Sequence, residues 1–291
     1  MTRLVAVEFF KLRKRMMTWV VSALLVGLVI LMYSILWSVS GRVTTFGEEQ
    51  QFTAEELRRA LFLQTAVPFS LQVVALFGAV LAVILAAGAV GSEYSWGTIR
   101  VVATAASGRM QLMLAKLIVL AAFIAAGALL AVAVGVAYSS IITWANGGTV
   151  LDFVTRAFVR DQFYAYCRTL LVIAPYVSMA FAAAVIGRST LAGVGAGIGF
   201  AFIEPLVSGL MRLASDPWQD IPNYLLNANT QVVLLENDLP EVVRLGPSNR
   251  ELAERDLNSP EVATLILVGY IVAFLAAALI TYRRRDMTAG S

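Results

Sequence analysis

Histidine is absent from the 291 residues, Cys167 is the only cysteine, and charged residues make up only 14% of the chain. Without histidine there is no Ser-His-Asp triad, no Cys-His nucleophile pair and no His-ligated zinc. With one cysteine there is neither a disulfide framework nor a CxxC redox centre. Lysine is almost as scarce: Lys11, Lys14 and Lys116 are the only three, and none lies in a Gly-Lys-Ser/Thr run. The P-loop that cradles nucleotide phosphates needs that run, so ATP and magnesium have no site in this chain. What abounds is apolar surface, with 59% hydrophobic residues and a mean hydropathy of +0.78. A soluble domain carries about 25% charged residues, so this composition belongs in a bilayer.

Crossing a hydrocarbon core of about 30 Å takes about 20 helical residues, and apolar runs of that length recur six times. They fall near 17–38, 70–92, 113–143, 166–187, 191–211 and 261–282. The expected fold is all-α, a single transmembrane domain over 1–291 with six transmembrane helices. The first run is too long for the hydrophobic region of a cleavable signal peptide and reads as a retained signal anchor. Placing both termini in the cytoplasm puts twelve of the 22 basic residues, including all three lysines, on the inner side against Glu8, Glu93 and Asp286. Positive charge is retained inside, so this is the expected orientation. Trp19, Trp37, Trp144 and Trp218 lie at or just past the ends of runs, the headgroup level that indole prefers. The basic balance thus reflects topology, and no basic, aromatic-studded surface suggests a nucleic-acid partner. The lipid bilayer is the expected partner, as a multi-pass protein of the cell membrane, the inner membrane of a prokaryote.

Between the runs, the stretch 213–260 is the longest outer loop and should contain short helices. Ser248 with Glu251 has capping-box spacing, and Ser259-Pro260-Glu261 reads as a cap and first turn for the last helix. Thr53 with Glu56 opens a polar helix in the first outer loop. Residues 151–165 read either as a helix lying at the outer interface or as an extension of the fourth run. The basic N-terminal segment 2–16 reads as an interfacial helix with an imperfect apolar face, because Glu8 and Lys11 project near Leu4.

The most specific stretch is the short inner loop GSEYSWGTIRVVATAASGRMQLMLAKL between the second and third runs. Glu93 closes the second run, Gly97-Thr98 can start a brief helix over about 94–105, Ser107-Gly108 turns the chain, and Arg109 and Lys116 enter the third run. Glu93, Tyr94, Gly97, Thr98, Arg100, Arg109 and Lys116 together resemble the inner loop of the permease subunits of type-2 ABC exporters. The family's proline before the arginine that begins the third helix is replaced here by Ala-Ser-Gly. Six spans, a basic N-terminal segment and a long outer loop before the last span extend the likeness to the whole architecture. The resemblance implies a transport subunit with no catalytic site of its own. Two such permease chains would pair as a homo- or heterodimer, and two ABC ATPase subunits holding ATP and magnesium would dock below. The 94–105 segment would then be a coupling helix seated in each ATPase, with Glu93, Tyr94, Trp96, Gly97, Thr98, Arg100 and Arg109 as the coupling residues and Trp96 and Tyr94 as its aromatic anchor.

One acid lies well inside a run. Ionised groups near a span centre cost roughly 2.5–3.5 kcal/mol, so Glu204 should face protein, take a proton or reach water. Pro205 beside it removes a backbone donor and favours a kink. The pair reads either as part of the translocation path or gate, or as a carboxylate bonded to a neighbouring span or to freed backbone groups. Gly193, Gly195, Gly197 and Gly199 give overlapping GxxxG spacings that allow close helix packing, within the chain or between two copies. Two other functions remain open: a proton-coupled secondary transporter resting on Glu204, and a membrane-embedded lipid-modifying enzyme, for which the inner face offers only three scattered acids.

Overall fold

Each of the six apolar runs lies in a helix long and apolar enough to cross a membrane in the computed structural model of the chain. The structure describes residues 1–41, 45–46, 52–95, 109–147, 153–214, 218–240, 243–244 and 257–284. An N-terminal helix, α1 (Thr2–Lys14), is followed by the first span, α2 (Met16–Ser40). A two-residue antiparallel pairing, β1 (Thr45–Phe46) with β2 (Phe52–Thr53), and the short α3 (Ala54–Arg59) lead into the second span. That span is built of α4 (Ala66–Val73), a π-helical turn (Val74–Gly78) and α5 (Ala79–Ser95). Then come α6 (Arg109–Ala145), α7 (Arg156–Gly187) and α8 (Thr190–Arg212), a short α9 (Leu226–Leu235) and the last span, α10 (Pro260–Arg284). The chain is a multi-pass membrane protein. Below, the side bearing α1 and the end of α10 is called the terminal face, and the side bearing α3 and the loop before α10 the opposite face.

Local sequence explains most of the boundaries. At 1.5 Å per residue the 37 residues of α6 rise about 55 Å and the 32 of α7 about 48 Å. Both exceed a hydrocarbon core and project beyond it. Residues 156–165 are the first turns of α7, so the fourth run is extended at the opposite face. Thr155 caps it, its Oγ1 accepting from the Phe158 N–H at 3.1 Å. Ser189 caps α8, accepting from the Leu191 N–H, and Arg188 in left-handed conformation (φ 52) reverses the chain between α7 and α8. Pro260 occupies the first turn of α10, where its missing N–H costs nothing. The Ser248 capping box lies outside the described residues.

Packing divides the bundle in two. The helices α1, α2 and α6 lean on one another, α7, α8 and α10 form the other group, and the second span lies against both. The main core gathers Val29, Tyr33, Phe69, Val90, Met113 and Phe181. Tyr33 stands edge-on to Phe69 at 4.8 Å between centroids and donates to the Ala66 carbonyl. The glycine stripe of α8 splits by face. A Cβ on Gly193 or Gly197 would press on Ala87, Ala180 or Val83, whereas Gly195 and Gly199 face open space. Gly193 and Gly197 therefore serve contact with α5 and α7 of the same chain. Around the bundle, Trp19, Trp144, Leu191, Phe202, Leu206 and Leu265 are exposed, the apolar girdle that lipid would cover.

Candidate functional site

Two of the three lysines and two of the acids on the terminal face come together below the spans. Lys116, two turns into α6, is buried with its Nζ 2.8 Å from Glu8 Oε2 and 2.6 Å from Glu93 Oε1. Lys11 reaches Glu8 Oε1 at 2.9 Å and Glu93 Oε1 at 3.4 Å from the half-exposed side of the cluster. The result is a four-residue ion cluster joining α1, the end of α5 and the start of α6. Two carboxylates against two ammonium groups leave no net charge, and each Nζ has donors enough for both acids. Burial alone would push the Glu8 carboxyl up. The Lys116 charge and the hydrogen bonds from Lys116 and Lys11 outweigh burial and hold it below the ordinary value. For Lys11 burial acts downward, and the hydrogen bond to Glu8 with the charge of Glu93 lifts the ammonium above its ordinary value.

The chain fixes α1 in place by other means as well. Arg15, in extended conformation, breaks the helix between α1 and α2, and its Nη1 donates to the Gly88 carbonyl of α5 at 2.9 Å. The last carbonyls of α1 are satisfied from the start of α2: Thr18 Oγ1 donates to Leu12 O at 2.7 Å and Trp19 Nε1 to Arg13 O at 2.9 Å. Leu12, Ala89 and Val119 form a small apolar cluster where α1 meets α5 and α6. Beside it Gly91 brings α5 against the start of α8, where a Cβ would collide with the Thr190 backbone. The interfacial reading of α1 did not foresee that Glu8 and Lys11 turn toward protein, while Arg3, Arg13 and Lys14 are exposed. The N-terminal helix is imperfectly amphipathic because Glu8 is buried against a lysine 108 positions away.

Of the residues singled out in the inner loop, Glu93 is 3% exposed inside the cluster. Tyr94 belongs to the last turns of α5 and packs on the main core. Arg109 begins α6. Trp96, Gly97, Thr98 and Arg100, and with them the greater part of the expected 94–105 helix, lie outside the described residues. Glu8 and Lys11 were missed as site residues. The available signal was a single acid among five basic residues in the first fifteen, spaced i,i+3 from Lys11.

At the other end of the bundle Glu204 is also 3% exposed, on the face of α8 that meets α9. Its Oε1 accepts the backbone N–H of Asn227 at 2.6 Å. The residue preceding α9 is Leu225, which has no side chain able to cap, so Glu204 serves the orphan donor of that helix from a neighbouring span. Pro205 lies inside α8 without ending it. Glu204 is eight residues, about 12 Å, from the end of α8, so the start of α9 reaches that depth. Residues 218–235 are thus folded back into the bundle, and Leu226, Val232 and Val233 pack against Val172, Ala263 and Leu267. Asn229 and Asn258 both donate to the Asn223 carbonyl, and Tyr270 donates to Tyr224.

A family described as "Protein of unknown function (DUF2705)" matches residues 60–288, which covers all the spans except the first. The chain belongs to that family. No curated protein matches it.

Proposed function

We propose that this DUF2705-family chain is the permease subunit of an ATP-driven ABC exporter, oriented with the terminal face in the cytoplasm of a prokaryotic inner membrane. Two copies, or one copy and a related chain, form the translocation path. Two ABC ATPase subunits supply ATP and magnesium and engage the 94–105 loop through Tyr94, Trp96 and Arg100. The observation that carries this reading is the ion cluster of Glu8, Lys11, Glu93 and Lys116, which ties the two arms of that loop to each other and to α1. A force applied to the loop would move the ends of α5 and α6 together instead of bending either, because separating them would strand charges at the edge of the hydrocarbon. The loop residues that resemble the exporter family and the absence of a nucleotide-binding motif from the sequence support it further.

The test is whether the full chain co-purifies with a Walker-motif ATPase subunit, together with transport measured in vesicles. Replacing Trp96 and Arg100 with alanine should abolish ATPase association and transport while leaving the helix content unchanged. Transport by the chain alone, without nucleotide, would refute the proposal.

One observation favours a second reading, a proton-coupled secondary transporter with Glu204 as its proton site. Glu204 Oε2 is buried and makes no hydrogen bond among the described residues. In that case Glu204→Gln would stop transport driven by a pH gradient in ATP-free vesicles. In the exporter, the same variant would leave ATP-driven turnover largely intact.

A further inference from the structure

The seam between the two helix groups contains a large apolar cleft. It has a volume of about 510 Å³ and is lined by α6, α7 and α10, with Leu117, Ala121 and Ile124 on one wall and Ala174, Ser178 and Leu275 on the other. The volume falls within the ~300–1,000 Å³ of small-molecule sites, and the half-exposed Ile118 stands at its rim. Its only lining hydroxyl, on Ser178, is already donated to the Pro175 carbonyl. No polar group is left for a polar ligand, so the occupant is a hydrocarbon chain.

Closure at one end and the placement of charge say which leaflet supplies it. The cleft runs from Leu117, Ser178 and Leu275, about 12–14 Å from the terminal-face ends of their helices, inward to Ile124, Leu170 and Ile271, about 20–26 Å from those ends. Toward the opposite face the cleft is strapped shut, because Tyr166 of α7 donates to the Ala125 carbonyl of α6 at 2.8 Å. The charges are asymmetric in the same sense. At the opposite face Arg160 is paired with Asp161 and Arg168 with Glu236. At the terminal-face ends of α7 and α10, Arg188, Arg283 and Arg284 are exposed, with no acidic partner among the described residues.

We propose that this cleft holds an acyl chain of an anionic phospholipid from the terminal-face leaflet, whose phosphate is met by Arg188, Arg283 and Arg284. The lipid fills the seam between α6, α7 and α10. The proposal is independent of the exporter reading and holds for any transport mechanism.

The experiment uses the delipidated full chain in detergent, titrated with dioleoyl phosphatidylglycerol or dioleoyl phosphatidylcholine and read by native mass spectrometry. Juxtamembrane basic residues contribute enough each that phosphatidylglycerol should be retained on the order of tenfold better. Arg188→Gln, Arg283→Gln and Arg284→Gln together, all on the exposed surface, should reduce that preference to the level of phosphatidylcholine. Ala121→Phe with Ala174→Phe should reduce occupancy by both lipids. Equal retention of the two lipids by the unaltered chain would overturn the proposal. So would phosphatidylglycerol binding that survives filling of the cleft, or an Ile118→Cys variant that cross-links two copies through this face.

Discussion

At the terminal face, Glu8 and Glu93 are buried against Lys116 and Lys11; at the opposite face, Glu204 is buried against a backbone N–H. Both arrangements keep a carboxylate out of hydrocarbon, but they tie the chain together differently. The ion cluster joins three elements that are distant in sequence and works only if every member is present, since removing one charge strands another. The Glu204 contact joins a span to the short helix that follows it and needs only an acceptor. An ammonium or a helix terminus can each compensate a buried acid, and the choice determines how much of the fold moves with it.

The largest effect is expected from breaking the cluster. Lys116→Met leaves Glu8 and Glu93 without their shared buried cation and should destabilise the chain by about 3–5 kcal/mol, measured by the denaturant midpoint in mixed micelles. Adding Glu8→Gln and Glu93→Gln to Lys116→Met should recover much of that loss. If the triple variant is as unstable as the single one, charge compensation is not what the cluster provides.

A smaller effect is expected at Glu204. Glu204→Ala orphans the Asn227 N–H and should cost about 1–3 kcal/mol, with faster hydrogen exchange confined to the first turn of α9. Glu204→Gln keeps an acceptor and should cost less. Equal losses in the two variants would mean that the contact depends on charge and would erase the contrast with the terminal face. At Gly91 the added methyl of Gly91→Ala should cost about 1–3 kcal/mol by overpacking against Thr190. Gly195→Ala, facing open space, should be near neutral in the same assay.

The smallest effect is the pH dependence of α1 docking. Glu8 titrates below its ordinary 4.5, so its contribution is present above that value and is lost as pH falls through the lower folded value. Lys11 titrates above its ordinary 10.5, so its contribution is complete below that value and is lost as pH rises through the higher folded value. Docking followed by Trp19 fluorescence, in a chain whose other tryptophans are phenylalanine, should be flat from about pH 5 to about pH 10. A transition near neutrality would contradict the assignment of charges within the cluster.

Much of this architecture could be read from the chain. Each apolar run became a helix within a few residues of its expected bounds, apart from the two that turned out longer, at Leu63–Tyr94 and Arg156–Gly187. Burial of Glu204 could be anticipated from the cost of a charge in hydrocarbon, whereas its partner could not. Asn227 offers a backbone N–H, and backbone groups have no sequence signature. Glu8 is the more instructive case. It read as a flaw in an amphipathic helix because periodicity sees only one helix at a time, and its compensating lysine lies in another.

The sequence by itself determined the membrane setting, the number of crossings and the helical class, because hydrocarbon forces every backbone group into local hydrogen bonds and rewards apolar side chains position by position. Only the tertiary structure decided that α1 is clamped to α5 and α6, that residues 218–235 fold back beside Glu204, and that a seam remains open between α6, α7 and α10. Those features depend on how helices meet, and packing is set by the mutual shape and charge of residues that no local pattern links.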